Sequence, residues 1–345
     1  MRASDKEPVG GQGVTVTRFS LGGTGFGNMY RSIDQAAADE IAAAALHGGV
    51  RYFDTAPLYG VGLSEQRLGQ ALRQARRDEL VISTKVGYTL TPIAAAEHGD
   101  FGPFVDVPPV ETAFDFSRDA ILRGMEESLQ RLQTDRIDIV LIHDPDEGVT
   151  LFEPELDPYA RSHFGQVMAE AYPALDQLRS EGVIRALGLG MNQWGMLADF
   201  ARAGDFDCFL LAGRYTLLEQ EPLAEFFPLC QEKGIRIIIG GPFNSGILVR
   251  GAVAGATYNY AEAPPEILER VGRIERVCAA HGVALPAAAL QFPFGHPTVA
   301  ATIPGASSVA ELNENITHFE TEIPVGFWEQ LREEGLIDAA APVPA

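Results

Sequence analysis

Eight short β-rich runs recur along this chain with amphipathic stretches between them, and that alternation limits the fold more than any other feature. The strand candidates are residues 18–21, 50–53, 80–84, 137–142, 184–189, 208–211, 236–239 and 299–303. Among the helical stretches, Ser32 and Gln35 form a capping box that opens a helix running to about His47. Ser117 caps another, whose apolar positions Ile121, Leu122, Met125, Leu129 and Leu132 recur at helical spacing. Segments 170–181, 194–203, 221–233, 265–281 and 308–318 complete the set. Such alternation predicts an α/β fold in which a parallel sheet closes into a single (β/α)8 TIM barrel. An open doubly wound sheet is the runner-up. It lacks support, because no GxGxxG opens the first strand-to-helix turn with an acidic residue after the next strand. The run Gly22–Gly27 is superficially like that fingerprint, but Asn28-Met-Tyr-Arg-Ser follows it rather than a helix.

Two connections are long. Residues 87–116 after the third strand and 144–169 after the fourth are rich in proline, glycine and acidic side chains. Loops of this length in a compact domain are usually functional or disordered. Both follow strand C-termini, the face on which barrel active sites assemble, so they are expected to wall a substrate pocket. Residues 1–15 and the tail 339–345 are expected to be unstructured, leaving residues 16–338 as the barrel.

Three strand ends carry side chains with chemical capability. The second runs into Asp54 and Tyr59, the third ends at Lys85, and the fourth ends at His143. A phenol, with a free pKa of about 10, is a poor base near neutrality. An ammonium beside it favours the phenolate and brings proton exchange within reach. Each residue alone has an ordinary explanation, since a strand-end aspartate caps helices and a tyrosine fills cores with a wet tip. Four together at successive strand ends point to a site. Lysine is rare in this chain, occurring at Lys6, Lys85 and Lys233, a bias that base composition explains. A lysine at the end of an apolar strand in such a chain is therefore expected to be needed as an ammonium, which shifts its pKa more readily than a guanidinium.

The formal net charge of −21, with no basic cluster, argues against nucleic acid and anionic membranes as partners. No apolar run is long enough to span a bilayer, and the N-terminus lacks a signal-peptide core. Cys208, Cys230 and Cys278 are scattered, which predicts buried thiols in a cytoplasmic protein. The histidines His47, His98, His163, His281, His296 and His318 show no ligand spacing, so no metal is expected. Oligomeric state is not readable.

The motifs FDTAPLYGxGxSE at residues 53–65, STK at 83–85, IHD at 142–144 and IPGASSxxELxEN at 303–315 resemble those of the aldo-keto reductases, over roughly residues 16–336. Within that family the chain is most similar to the bacterial sugar and pyridoxal dehydrogenase branch, through FGNMY at 26–30, FSRD at 116–119, HDPD at 143–146, GRYTLL at 213–218 and GPFNSG at 241–246. The resemblance implies that Tyr59 exchanges a proton with the substrate oxygen, Lys85 lowers its pKa, Asp54 holds Lys85, and His143 orients the substrate. A nicotinamide would carry the hydride, for which the protein has no side chain.

The resemblance also implies cofactor contacts. Gly22 and Gly23 would let the cofactor backbone approach, and Asn192 would bind the carboxamide. The usual glutamine companion is replaced by Ala212. The usual stacking aromatic is replaced by Gly240, leaving Tyr215 or Phe243 as candidates for that role. Gly241, Phe243, Ser245 and Gly246 match the loop over the pyrophosphate. In the last motif, beginning at Ile303, Gly305 and Glu311 stand where NADP-preferring members carry lysine and arginine. A carboxylate there would repel a 2′-phosphate by on the order of a kcal/mol, so NAD preference is expected. Ser307 or Ser308 offers dual use of NADP as the competing reading. Glu314 and Asn315 match adenine contacts.

The expected reaction is oxidation of a hemiacetal hydroxyl to a lactone. The first candidate substrate is an aldose of the L-fucose or D-arabinose type, and the second is pyridoxal, oxidised to 4-pyridoxolactone. A general aldehyde or ketone reductase is a broader alternative. A pocket lined by Tyr88, Phe101 or Phe104 would favour pyridoxal; one using Asp144, Asp146 or Arg214 would favour sugar. Two readings of other classes are a Schiff-base aldolase using Lys85 and a nicotinamide-sensing subunit that turns over slowly.

Overall fold

The structure, a computed structural model, describes residues 1–95, 99 and 101–344; His98 lies outside the described residues. Eight parallel strands form one sheet: β1 (Leu21–Gly22), β2 (Tyr52–Asp54), β3 (Val81–Val86), β4 (Ile139–His143), β5 (Ala186–Met191), β6 (Cys208–Ala212), β7 (Arg236–Gly240) and β8 (Val299–Ile303). Each pairs with its predecessor, and bridges Phe19↔Thr302 and Gly22↔Gly305 join the first strand to the last. The closing bonds are short: Ser20 N–H donates to Thr302 O at 3.0 Å, and Thr302 N–H to Arg18 O at 2.8 Å. The sheet is thus a closed barrel.

The expected strands are all present, but most extend one or two residues further toward their C-termini. The reason is physical. Asp54, Lys85 and His143 are polar and end the apolar pattern before the ladder ends.

The surrounding helices are α1 (Gln35–His47), α2 (Leu63–Leu72), α3 (Arg118–Leu132), α4 (Tyr172–Ser180), α5 (Trp194–Ala203), α6 (Phe226–Lys233), α7 (Leu285–Gln291) and α8 (Val309–Glu320). Ser117 caps α3 as expected. The cap of α1 is Asp34, whose carboxylate accepts from Ala37 N at 2.9 Å, and the expected Ser32–Gln35 box does not form. Asp34 stands one residue before the first helical position, where a side-chain oxygen reaches the orphan N–H; the Gln35 amide turns to Asp39 at 2.7 Å instead. Two further helices, Pro265–His281 and Val325–Glu333, pack against each other outside the ring.

Both chain ends correct the sequence reading. Lys6–Val9 and Val14–Thr17 form an antiparallel hairpin. Its Val9, Val14 and Val16 are buried against Tyr52, Val81, Ile139, Ala186 and Ala300 in the barrel interior. A barrel open at its base would expose those residues to water, and the hairpin plugs it. The tail also packs: Ala341 is fully buried, and Arg332 Nη2 donates to Ala341 O at 2.6 Å. The loop after β3 is not irregular throughout, since Tyr88–Pro92 pairs with Val110–Phe114 in a second hairpin. No single helix among the described residues is long and apolar enough to cross a membrane.

Candidate active site

Alternation along the strands gathers the site. Side chains two apart share a face. The buried inner set of β2 continues from Tyr52 to Asp54, that of β3 from Val81 through Ser83 to Lys85, and that of β4 from Ile139 and Leu141 to His143. Asp54 pairs with Ser83 in register, and Lys85 with Leu141. The polar residues therefore form the top layer of the barrel interior, above apolar layers.

Lys85 Nζ donates to Asp54 Oδ2 at 2.7 Å, to Thr55 O at 2.9 Å and to the Tyr59 hydroxyl at 3.0 Å. Gly190 on β5 leaves room for the lysine stem, since a Cβ there would stand 3.3 Å from Lys85 Cε. Asp54 is held from its other side by the Ser83 hydroxyl at 2.6 Å, which in turn bonds the Tyr52 hydroxyl at 2.9 Å. Sequence reasoning passed over Ser83 and Tyr52, although their spacing of two from Lys85 and Asp54 marks them. Tyr59 sits in the turn after β2, where Gly60 adopts φ +61° and a Cβ would meet Gly27 O at 2.3 Å. Its ring lies against Phe104, with centroids 6.1 Å apart, and edge-on to His143 at 5.9 Å.

Burial pulls the Lys85 ammonium down, but Asp54 and Tyr59 outweigh it and leave it raised to about 12. The Tyr59 phenol departs from expectation. Burial pushes it above the ordinary value; Lys85 lowers it, and Asp54 raises it again. Burial is the main cause, and Asp54 adds to it by offsetting part of the Lys85 ammonium that was expected to act on the phenol alone. His143 is pushed well below the usual imidazole range by burial and by Lys85, so it is a neutral hydrogen-bond donor or acceptor rather than an imidazolium. Burial, reinforced by Asp146, raises Asp144 to about 8.

Two adjoining cavities open above this layer. The first, a cleft of about 660 Å³, is lined by Gly22, Asp54, Gly240, Gly241, Phe243, Ser245, Gly246, Ile303, Gly305 and Glu311 among the sequence candidates. Thr24 and Arg250 also line it, and sequence reasoning missed both. The second, of about 460 Å³, is lined by Tyr59, Lys85, His143, Asp144 and Asn192 together with Leu58, Tyr88, Phe101, Phe104, Phe152 and Tyr260. Asn192 is fixed by donating to Ala212 O at 2.7 Å.

Several candidates lie elsewhere or play another part. Tyr215 is fully buried among Phe227, Phe292 and His296, because its ring fills the core behind β6, so it is not the stacking aromatic. Gly23 does not line the cleft; it is needed for packing, since a Cβ would meet Asp54 O and Ser64 Oγ at 2.7 Å. Gly240 offers no ring to the cleft it lines, and a Cβ there would stand 2.8 Å from Leu210 Cδ2, which would have to shift. Ser307 donates from both N–H and Oγ to Glu311 Oε2, at 2.8 and 2.9 Å. Glu314 and Asn315 stay on the surface of α8, outside the cleft lining. Asp146 is buried in its own loop, and Arg214 is tied to Asn259 at 2.8 Å, so neither lines the second cavity. No group of three or more histidine, cysteine, aspartate or glutamate residues fit for a metal occurs among the described residues.

The Aldo/keto reductase family model matches residues 18–334. The chain is an aldo-keto reductase. It is 38% identical over 347 residues to pyridoxal 4-dehydrogenase of Microbacterium luteolum, covering 98% of this chain and 99% of that one. It is 37% identical over 339 residues to D-threo-aldose 1-dehydrogenase of a Pseudomonas species, covering 97% and 99%. The holo form of the aldo-keto reductase AKR11C1 from Bacillus halodurans superposes with a TM-score of 0.72 at 26% identity, covering 98% of each chain. As an aldo-keto reductase the chain is an NAD(P)-dependent oxidoreductase acting on CH–OH groups.

The cleft suits such a dinucleotide. The 241–246 turn lines it, with positive φ at Gly241, Asn244, Ser245 and Gly246, together with Thr24 and Arg250. Turns of this kind aim backbone N–H groups at an anion.

Proposed function

We propose that this aldo-keto reductase oxidises the hydroxyl of a cyclic hemiacetal to a lactone, and that its substrate is an aromatic hemiacetal of the pyridoxal type. The lining of the second cavity carries the substrate choice: Tyr88, Phe101, Phe104, Phe152 and Tyr260 surround it, while Arg214 and Asp146 do not reach it. That reverses the order expected from sequence. The similarity to pyridoxal 4-dehydrogenase and to D-threo-aldose 1-dehydrogenase is nearly equal, so the relatives support the hemiacetal chemistry and leave the substrate choice to the pocket lining. Asp144 and Glu147 also line the cavity, and they favour an aldose as the second reading.

In this reading Tyr59 Oη accepts the hydroxyl proton while the hydrogen on the same carbon departs with its electron pair. The Lys85 ammonium at 3.0 Å stabilises the phenolate before that transfer. Neutral His143 offers a ring N–H to the same substrate oxygen and fixes its direction. Asp54, bonded to both Lys85 and Ser83, keeps the ammonium in place. Nicotinamide dinucleotide, when bound, supplies the two-electron hydride acceptor.

A substrate panel followed by NADH absorbance tests the choice. Pyridoxal is expected to exceed L-fucose and D-arabinose in kcat/KM by about tenfold or more, the scale of roughly 1–3 kcal/mol that apolar complementarity supplies. Faster turnover of both sugars would transfer the assignment to the aldose reading.

NAD preference belongs to the same proposal. Glu311 lines the cleft and accepts from Ser307, which supports a reading in which its carboxylate faces the ribose. Arg31 lies 3.7 Å from Glu311 and donates to Ser307 O at 2.6 Å, a cation that tempers the repulsion of a 2′-phosphate. Glu311→Arg is expected to move the NAD-to-NADP ratio of kcat/KM toward NADP by about tenfold or more, the equivalent of roughly 1.4 kcal/mol. An unchanged ratio would remove Glu311 from cofactor choice.

A further inference from the structure

The strands Thr257–Tyr258 and Ala261–Glu262 pair antiparallel, with Tyr258 opposite Ala261, so residues 259 and 260 are the whole of the turn between them. Both are left-handed, Asn259 at φ +49° and Tyr260 at φ +65°. A two-residue turn with two positive φ angles is the type that asparagine–glycine fills at least cost. Asn259 obeys that rule and Tyr260 breaks it. A bulky residue in this region is strained unless the surroundings hold it there, and such strain gathers at ligand sites.

The surroundings do hold it. Tyr260 N–H donates to Ser245 Oγ at 2.9 Å, and Thr257 Oγ1 to Ser245 O at 2.6 Å. Asn259 Oδ1 accepts from Arg214 at 2.8 Å, and the Tyr258 hydroxyl bonds Glu219. The turn is therefore tied to the loops after β6 and β7, yet Tyr260 remains 45% exposed. Core packing does not explain its presence.

Its position does. Tyr260 lines the dinucleotide cleft and also the substrate cavity, a property shared with Thr24, Met29, Tyr59, Leu210 and Ala212. Of those six, Tyr59 and Tyr260 are aromatic. Across the mouth, the Tyr260 ring meets Phe152 from the loop after β4, with centroids 6.3 Å apart. The barrel wall at this level offers Gly240 and Ala212, which have no ring to present.

We infer that Tyr260 is a ligand-contacting residue, retained in a strained turn because its ring covers the junction where the dinucleotide and the substrate meet. The inference rests on the proposed dinucleotide site. It makes position 260 a determinant of both affinities, supplied from the hairpin rather than from a strand end.

The test uses Tyr260→Gly and Tyr260→Ala in the full chain, with NADH fluorescence titration, substrate kinetics and thermal melting. Glycine relieves the left-handed strain, so the melting temperature of Tyr260→Gly is expected to equal or exceed that of the parent. Both variants are expected to weaken NADH by about three- to tenfold and to raise the substrate KM by a similar factor, the scale of a lost aromatic contact. Loss of binding with unimpaired melting is what a purely structural residue would not give. Variants that bind NADH and substrate as tightly as the parent would overturn the inference. Failure of the parent itself to bind NADH would instead overturn the proposed function.

Discussion

Replacing Tyr59 with phenylalanine is expected to lower kcat for oxidation by about a thousandfold, within the range that general acid–base groups contribute, while the Kd for NADH stays within about twofold of the parent. The hydroxyl is the atom removed, and the ring keeps its contacts with Phe104 and His143. The pH profile sharpens the test. Because burial raises the Tyr59 phenol, the parent holds it protonated at neutral pH, and oxidation needs the phenolate. Oxidation should therefore accelerate with rising pH, while reduction of the corresponding carbonyl, which uses the protonated phenol, should stay nearly level over the same range. Stopped-flow NADH formation with the alcohol, and NADH consumption with the carbonyl, read the two directions from pH 6 to 10. A Tyr59→Phe variant that matches the parent across that range would end the assignment of Tyr59 as proton acceptor.

Lys85→Met is expected to act on both rate and stability. The variant removes the ammonium that stabilises the phenolate, and kcat should fall by about a hundredfold or more. It also leaves Asp54 buried at 1% exposure without its cation. Breaking a buried pair in this way costs about 3–5 kcal/mol, much of it the unpaired partner. Lys85→Met with Asp54→Asn removes both charges, and the double variant should recover much of the stability without recovering activity. The parent has a matching pH signature. Folding raises the Lys85 ammonium to about 12, so its contribution is complete below the unfolded lysine value of about 10.4 and is lost as pH rises through about 12. Denaturant melts at pH 9 and pH 11.5 should differ more for the parent than for the double variant. Equal loss in both would show that Lys85 is not the group responsible.

Much of the site was legible because strand alternation is strict. Asp54, Lys85 and His143 each continue an inward-facing set, so apolar runs that end in a polar residue announced them. Tyr59 followed from its motif, and its turn depends on Gly27 and Gly60, whose close approach no local pattern reveals. The raised phenol was not legible, since it depends on how far Asp54 offsets Lys85 and on how deeply the ring is buried. Tyr215 misled because an aromatic beside a loop motif can face either the cleft or the core, and Phe227 and Phe292 settle that question from distant sequence. Arg250 and Tyr260 reach the cleft from loops with no periodicity to place them. The hairpin at 6–17 looked unstructured because its residues gain a reason to fold only when a barrel base exists to cover.

Closure of the barrel through Phe19, Gly22, Thr302 and Gly305 has a consequence for biosynthesis. The first strand pairs early with the second, but its other edge must wait for Thr302 and Gly305 at the far end of the chain, and the plugging hairpin waits with it. A nascent chain emerging from the ribosome therefore carries an unpaired edge and an unsealed apolar lumen until its last motif is translated. Such long-range pairing slows folding and leaves intermediates prone to association. Truncation beyond β7 should thus yield an aggregating fragment rather than a weakened enzyme, and sedimentation of a chain ending at residue 298 would show it.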